Sequence, residues 1–283
     1  MTKDADDLFD DEITTGATLS SGTTISGNTA YHLGNDGSGS GLDAELVDGN
    51  GIAVPGDTWT LSPVGAVADV QSQFASPSTT PNGLGVDSAD CIWNSNPGTE
   101  SIYELDQSGT VQSKFASPSR VPRGVGVDSA DCIWNSDDVA LSIYELNQSG
   151  TVQSQFSSPS SNPRDIGFDS VDCIWHSDRD ADSIYELNQS GTVNSKFASP
   201  SSYPRGVGVD SADCIWHSDY GTDSIYELNQ SGTVQSQFSS PSNYPAGVGL
   251  DSSDCIWNAD YGTDSIYELN RSGKSLYVLD TLQ

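Results

Sequence analysis

A 41-residue period limits what this chain can fold into more than any other feature. Cys91, Cys132, Cys173, Cys214 and Cys255 fall 41 positions apart, and Trp93, Trp134, Trp175, Trp216 and Trp257 keep the same step. The unit is cleanest over residues 206–245, GVGVDSADCIWHSDYGTDSIYELNQSGTVQSQFSSPSNYP. A fixed period of this length marks a repeat architecture, whose units bury their apolar faces only against their neighbours.

Each unit holds four short runs rich in β-branched and aromatic residues: 206–210 (GVGVD), 214–218 (CIWHS), 224–228 (SIYEL) and 233–238 (TVQSQF). They alternate or nearly so, which is the strand pattern, and no window carries a helical period. The joints DSAD, SDYGTD, NQSG and a Ser/Pro stretch are turn chemistry. Four strands per unit of about 40 to 50 residues predict an all-β fold, a β-propeller in which each unit is one blade. Five blades are favoured, with six as the alternative. Residues 70–74 (VQSQF) repeat an outer strand ahead of the first full unit, and 274–279 (KSLYVL) stand in its place after the last. A sixth, shortened blade would begin near residue 43. The expected division is an extended N-terminal attachment segment over 1–56 and a propeller over 57–283.

With the strands of a blade named A to D from the channel outward, the D–A and B–C loops share one face and the A–B and C–D turns the other. The A–B joints read DSAD, DSAD, DSVD, DSAD and DSSD, and the C–D joints stay near NQSG. The B–C loops differ: NSNPGTE, NSDDVAL, HSDRDAD, HSDYGTD and NADYGTD. Variation is therefore concentrated on one face, as when a constant frame carries a binding surface.

With 40 acidic against 10 basic residues the formal charge is −30. No basic stripe exists to neutralise phosphates, which excludes nucleic acid as a partner. The acid load points to a halophilic host, because at molar salt charges are screened within about 3 Å. No secretory signal opens the chain and no run approaches the about 18 apolar residues of a membrane span, so membrane insertion is not expected. The five cysteines are odd in number and lack CxxC pairs, which argues for buried thiols on the Trp face rather than disulfides or a metal site.

The repeat P-x-G-V-x-V-D-S-x-D-x-I-W-x-S-D…S-I-Y-E-L-x-x-S-G over 70–283 resembles the NHL and virginiamycin B lyase type of propeller repeat. That resemblance implies a propeller, usually of six blades. The lyase relatives place a His and Glu pair near a metal over the channel mouth. Here His176 and His217 have no such Glu beside them, and their counterparts are Asn94, Asn135 and Asn258. The expectation is therefore a non-enzymatic chain, with no catalytic residues and no metal. Residues 37–49, GSGSGLDAELVDG, resemble a linker motif of tail-fibre and adhesion proteins of tailed viruses, with Glu45 and Val47 as departures.

The candidate ligand-binding residues lie in the variable loops. Arg123, Arg164 and Arg205 follow a proline at the start of strand A in successive blades, where they can fork carboxylate or sulfate groups on an acidic glycan. The alternative is pairing with Asp178, Asp219 and neighbouring acids. Tyr203, Tyr220, Tyr244 and Tyr261 offer flat stacking surfaces, and His176 and His217 complete the set. Asp87, Asp128, Asp169, Asp210 and Asp251 are read as turn residues rather than a Ca²⁺ site, which would need three or more convergent oxygens. Asn147, Asn188, Asn229 and Asn270 open N-x-S sequons but also suit the turn. Together these features lead to an expected virion adhesion protein of a halophilic tailed virus. It would be homo-oligomeric, bound to other virion proteins through 1–56 and exposed on the particle to a host surface glycan or protein. The alternative is a cellular NHL-like propeller, in the cytoplasm of a halophile, acting as lyase, hydrolase or interaction scaffold.

Overall fold

In the computed structural model each of the first four repeats forms one four-stranded antiparallel blade, the last supplies three strands of a fifth, and five blades make the ring. The described residues are 59–271 and 273–281, preceded by the short strands Thr18–Leu19, Thr23–Ile25 and Tyr31–Leu33. The attachment segment 1–56, with its 37–49 motif, otherwise lies outside the described residues, as does most of the shortened sixth blade.

Blade one comprises Leu84–Val86, Ile92–Asn96, Ser101–Leu105 and Val111–Ala116. Blades two, three and four repeat it from Pro122–Val127, Pro163–Phe168 and Pro204–Val209 outward to Val152–Ser157, Val193–Ala198 and Val234–Ser239. Blade five takes Pro245–Leu250, Ile256–Asp260 and Ser265–Leu269 from the end of the repeat array, and its outer strand from the beginning, Val70–Ala75. Ile266 lies opposite Phe74 and Tyr267 opposite Gln73, the same register in which Ile143 meets Phe156 and Tyr144 meets Gln155 in blade two. The 70–74 run is thus neither spare nor part of a sixth blade. Lys274–Thr281 is not the outer strand of the last copy, because it pairs with Trp59–Val67. By compactness the chain divides into residues 66–274 and a second unit of 1–65 with 275–283. In that second unit Thr18–Leu19 pairs with Trp59–Val67 and Thr23–Ile25 pairs with Tyr31–Leu33.

The core is a set of five junctions between blades. Alternation along a strand sends successive side chains to opposite faces, so Ile133 and Trp134 of one strand serve different junctions. Trp93, Ile102 and Phe115 of blade one meet Val125, Ile133, Tyr144 and Leu146 of blade two. Trp134, Ile143 and Phe156 then meet Ile166, Ile174, Tyr185 and Leu187 of blade three. The ring closes where Trp257, Ala259, Ile266 and Phe74 meet Leu84, Ile92, Tyr103 and Leu105. Each buried indole needs an acceptor for its N–H. Asp87 Oδ2 accepts from Trp93 Nε1 at 2.9 Å while its Oδ1 accepts from the Ala89 and Cys91 amides, so the turn aspartate serves turn and core together.

Candidate functional site: the axial mouth on the loop face

Strand A of every blade begins where the ring is tightest. A glycine stands two residues after the proline that leads into it in four blades, Gly83, Gly124, Gly206 and Gly247, because a Cβ there would collide with the next blade's backbone; at Gly124 it would meet the Arg164 carbonyl. Blade three breaks the rule with Asp165. Its fully buried carboxylate reaches across the axis. Oδ1 accepts from Val125 N at 3.2 Å, and Oδ2 from Val207 N at 3.2 Å and Val248 N at 3.1 Å. One side chain thus ties blades two, four and five to blade three and closes the channel. Burial pushes Asp165 well above the usual carboxylate range, against the downward pull of these backbone N–H groups. The five-copy pattern carried a signal for this residue, a single Asp in a column of glycines, but sequence reasoning passed over it.

Above this floor lies a cavity of about 280 Å³ walled by Arg123, Arg164, Arg179, Arg205, Tyr220, Tyr244 and Tyr261. Four of the ten basic residues of a strongly acidic chain therefore meet at one opening. The structure brings all three candidate arginines and three of the four candidate tyrosines to it. Arg179, in the B–C loop of blade three, was missed because its blade lacks the loop sequence of its neighbours. Tyr203 stands at the rim, where Arg179 lies over its ring at 4.8 Å and Tyr220 meets it edge-on at 6.1 Å. Tyr220 and Tyr244 stack at 5.2 Å, and Arg205 lies over Tyr220 at 5.0 Å.

The arginines differ in how far they are neutralised. Arg123 pairs with Asp138 at 3.1 Å. Arg164 and Arg205 form no ion pair with Asp178 or Asp219. Asp178 instead accepts from the Asn162, Asp180 and Ala181 amides, and Asp219 from the Gly221 and Thr222 amides. Arg164 is only 5% exposed, and burial, followed by repulsion from Arg123 and Arg205, brings its guanidinium down to about 9. Arg205 is lowered for the same reasons, burial first and then Arg123 and Arg179. The Nε groups of Arg164 and Arg205 and the Asn82 amide nitrogen are buried with no acceptor among the described residues. All three residues line a water-sized space of about 10 Å³ that also touches Asp165. Unpaired buried donors are costly, more so when charged. Here the residues that carry them line one space.

The remaining candidates lie elsewhere. His176 and His217 are fully buried between strands. His176 Nδ1 donates to the Asp165 carbonyl at 2.9 Å and His217 Nδ1 to the Gly206 carbonyl at 2.8 Å, so each Nε2 accepts from a serine, Ser158 and Ser199. Asn94, Asn135 and Asn258 donate to the same carbonyl in their blades, so histidine replaces asparagine as a strand-to-strand donor. Burial brings His176 down to about 4. The five cysteines are free and half-buried rather than buried, and each precedes its strand. Asp87, Cys91 and Glu104 approach one another, as do Asp210, Cys214 and Glu227, but Asp87 and Asp210 are already engaged by turn amides and Trp N–H groups.

No family model matches the sequence, and no curated protein matches it. Solved structures do resemble its fold. A streptogramin B lyase shares 20% identity at a TM-score of 0.50, over 78% of this chain and 72% of that one. A gluconolactonase-like protein shares 17% at 0.52, over 77% and 82%. A virginiamycin B lyase from Staphylococcus aureus shares 17% at 0.49, over 78% and 74%. At these identities the likeness is one of fold: the chain is a five-bladed β-propeller. The expectation of a non-enzymatic chain is corrected by the first two of these structures. Proteins sharing this ring are named as enzymes, so the absence of a recognisable His and Glu pair gives no ground for excluding catalysis.

Proposed function

We propose that this chain is a cellular NHL-like propeller whose axial mouth recognises an acidic ligand, as the binding step of a lyase- or hydrolase-type enzyme or of an interaction scaffold. The observation that carries the reading is the set of buried donors without acceptors among the described residues, Arg164 Nε, Arg205 Nε and Asn82 Nδ2, on three residues that line one small space beneath the arginine-walled cavity. A carboxylate or sulfate group entering the larger cavity above this space meets Arg164 and Arg205 and neutralises two guanidiniums that burial has weakened. The arginine–tyrosine wall adds a flat surface for the rest of the ligand. The virion adhesion reading uses the same face. Its distinguishing support, the 37–49 segment, lies outside the described residues, and the similar structures named above include lyases, so the cellular reading is preferred.

Isothermal titration of the full chain with small carboxylates, sulfate, phosphate and neutral sugars tests the reading. Acids are expected to bind and neutral sugars not to, with Arg164→Ala plus Arg205→Ala weakening binding by about tenfold or more. Binding of neutral sugars alone, or of no anion at all, overturns it.

A further inference from the structure

We infer that the axial mouth takes a single carboxylate-bearing ring end-on, as a free hexuronate-type acid or the terminal acidic unit of a glycan, and not the interior of a polyanionic chain. This rests on the acid-binding reading above and narrows it.

The first ground is the closed floor. Asp165 is held by backbone donors of three other blades, so nothing threads through the ring and a ligand enters only from the loop face. The second is size. The cavity of about 280 Å³ lies at the lower edge of the roughly 300–1,000 Å³ found for drug-sized ligands. One ring with its acid fits this volume and an extended oligosaccharide does not.

The third ground is the division of the wall. Arg164 and Arg205, with free Nε atoms, stand on blades three and four, whereas Tyr244 and Tyr261 come from the loops of blade five. A guanidinium edge made of Nε and Nη matches the two oxygens of a carboxylate as a fork. A ring bearing that carboxylate then has the stacked Tyr220–Tyr244 pair beside it as a flat apolar surface. The fourth is charge. At −30 the protein repels a polyanion, with a reach of about 10 Å at 0.1 M salt. A ligand with one charge places that charge among the arginines and presents no further charge to the acidic protein.

Calorimetry with the full chain separates the cases, using glucuronate, glucose, a disaccharide ending in glucuronate, and an oligosaccharide whose uronates are internal and whose ends are neutral. Glucuronate and the glucuronate-ended disaccharide are expected to bind within about threefold of each other, and glucose and the internally charged oligosaccharide not to bind. Arg205→Lys keeps the charge and loses the fork, and is expected to weaken glucuronate by about tenfold, with folding checked by circular dichroism. If the internally charged oligosaccharide binds and glucuronate does not, end-on entry is wrong while acid binding stands. If sulfate or phosphate binds and no uronate does, the carboxylated ring is wrong while acid binding again stands. An Arg205→Lys protein that binds glucuronate like the wild type removes the fork. Should no acid of any kind bind, both readings fall.

Discussion

The two faces of this propeller are built from the same repeats, yet their joints bond differently. On the turn face, Ser88 of one blade donates both its amide and its hydroxyl to Asp131 of the next, at 3.0 and 2.7 Å. Ser129 does so to Asp172, Ser170 to Asp213, Ser211 to Asp254, and Ser252 closes the circle on Asp90. The NQSG turns add a second tie. Gly150 adopts φ of +81°, and a Cβ there would lie 2.5 Å from Phe115 of the preceding blade. On the loop face the bonds run mostly within a blade, as when Asp137 accepts from Val121, Val139 and Ala140. A loop bonded to its own blade changes without disturbing its neighbours. A turn clasped to the next blade does not. Sequence constancy on one face and variation on the other therefore follow from where the hydrogen bonds go, and the face free to vary is the one that carries the arginines.

Asp165 is the exception that sharpens the contrast, since it sits at the loop-face end of the axis and acts on the whole ring. Asp165→Leu leaves three backbone N–H groups of other blades buried without acceptors. At about 1–3 kcal/mol each, the expected loss is about 4 kcal/mol or more, read as a lowered urea midpoint. Asp165→Gly restores the residue of the other four blades and lets water reach the donors, so its loss is smaller. A Leu variant as stable as the wild type would show that the axis does not depend on this carboxylate.

His176→Asn probes the strand between the faces, through pH. A base whose folded-state pKa lies below its unfolded value binds more protons when unfolded. Its stability contribution is therefore complete above about pH 6.5 and lost as pH falls toward 4. At 1.36 kcal/mol per pH unit that amounts to about 3 kcal/mol across the window. The difference between wild-type and His176→Asn unfolding free energies is expected to grow by this amount on acidification, because asparagine makes the same carbonyl bond without titrating. A flat difference curve means the imidazole is not held neutral.

Much of this was legible in the repeats. Four strands per unit, five blades, the split into a constant and a variable face, and the clustering of Arg123, Arg164 and Arg205 all follow from comparing the copies. Other features needed three dimensions. The outer strand of blade five comes from residues 70–75, and only strand pairing could decide between it and the C-terminal run. His176 and His217 follow tryptophans at a strand's polar end, which reads as exposed, but the innermost strand covers them. The acids of DSxD pair with serines 43 residues away, a distance that no local turn reading reaches.

The smallest expected effects divide the faces most cleanly. Ser129→Ala removes one hydroxyl bond of a clasp and keeps its amide partner, so about 0.5–1 kcal/mol of stability is expected to go while ligand affinity stays unchanged. Tyr244→Ser is the converse. Tyr244 is 42% exposed and stacks on Tyr220 at the mouth, so little burial is lost with it and stability is expected to hold within about 0.5 kcal/mol. The flat wall of the cavity goes with the ring, and loss of an aromatic contact of about 1 kcal/mol corresponds to about fivefold weaker binding of an acidic ring. Measured together by urea titration and calorimetry, the two variants are expected to move opposite observables. If Tyr244→Ser unfolds earlier and binds normally, the tyrosines are packing for the loops, and the arginines alone define the site.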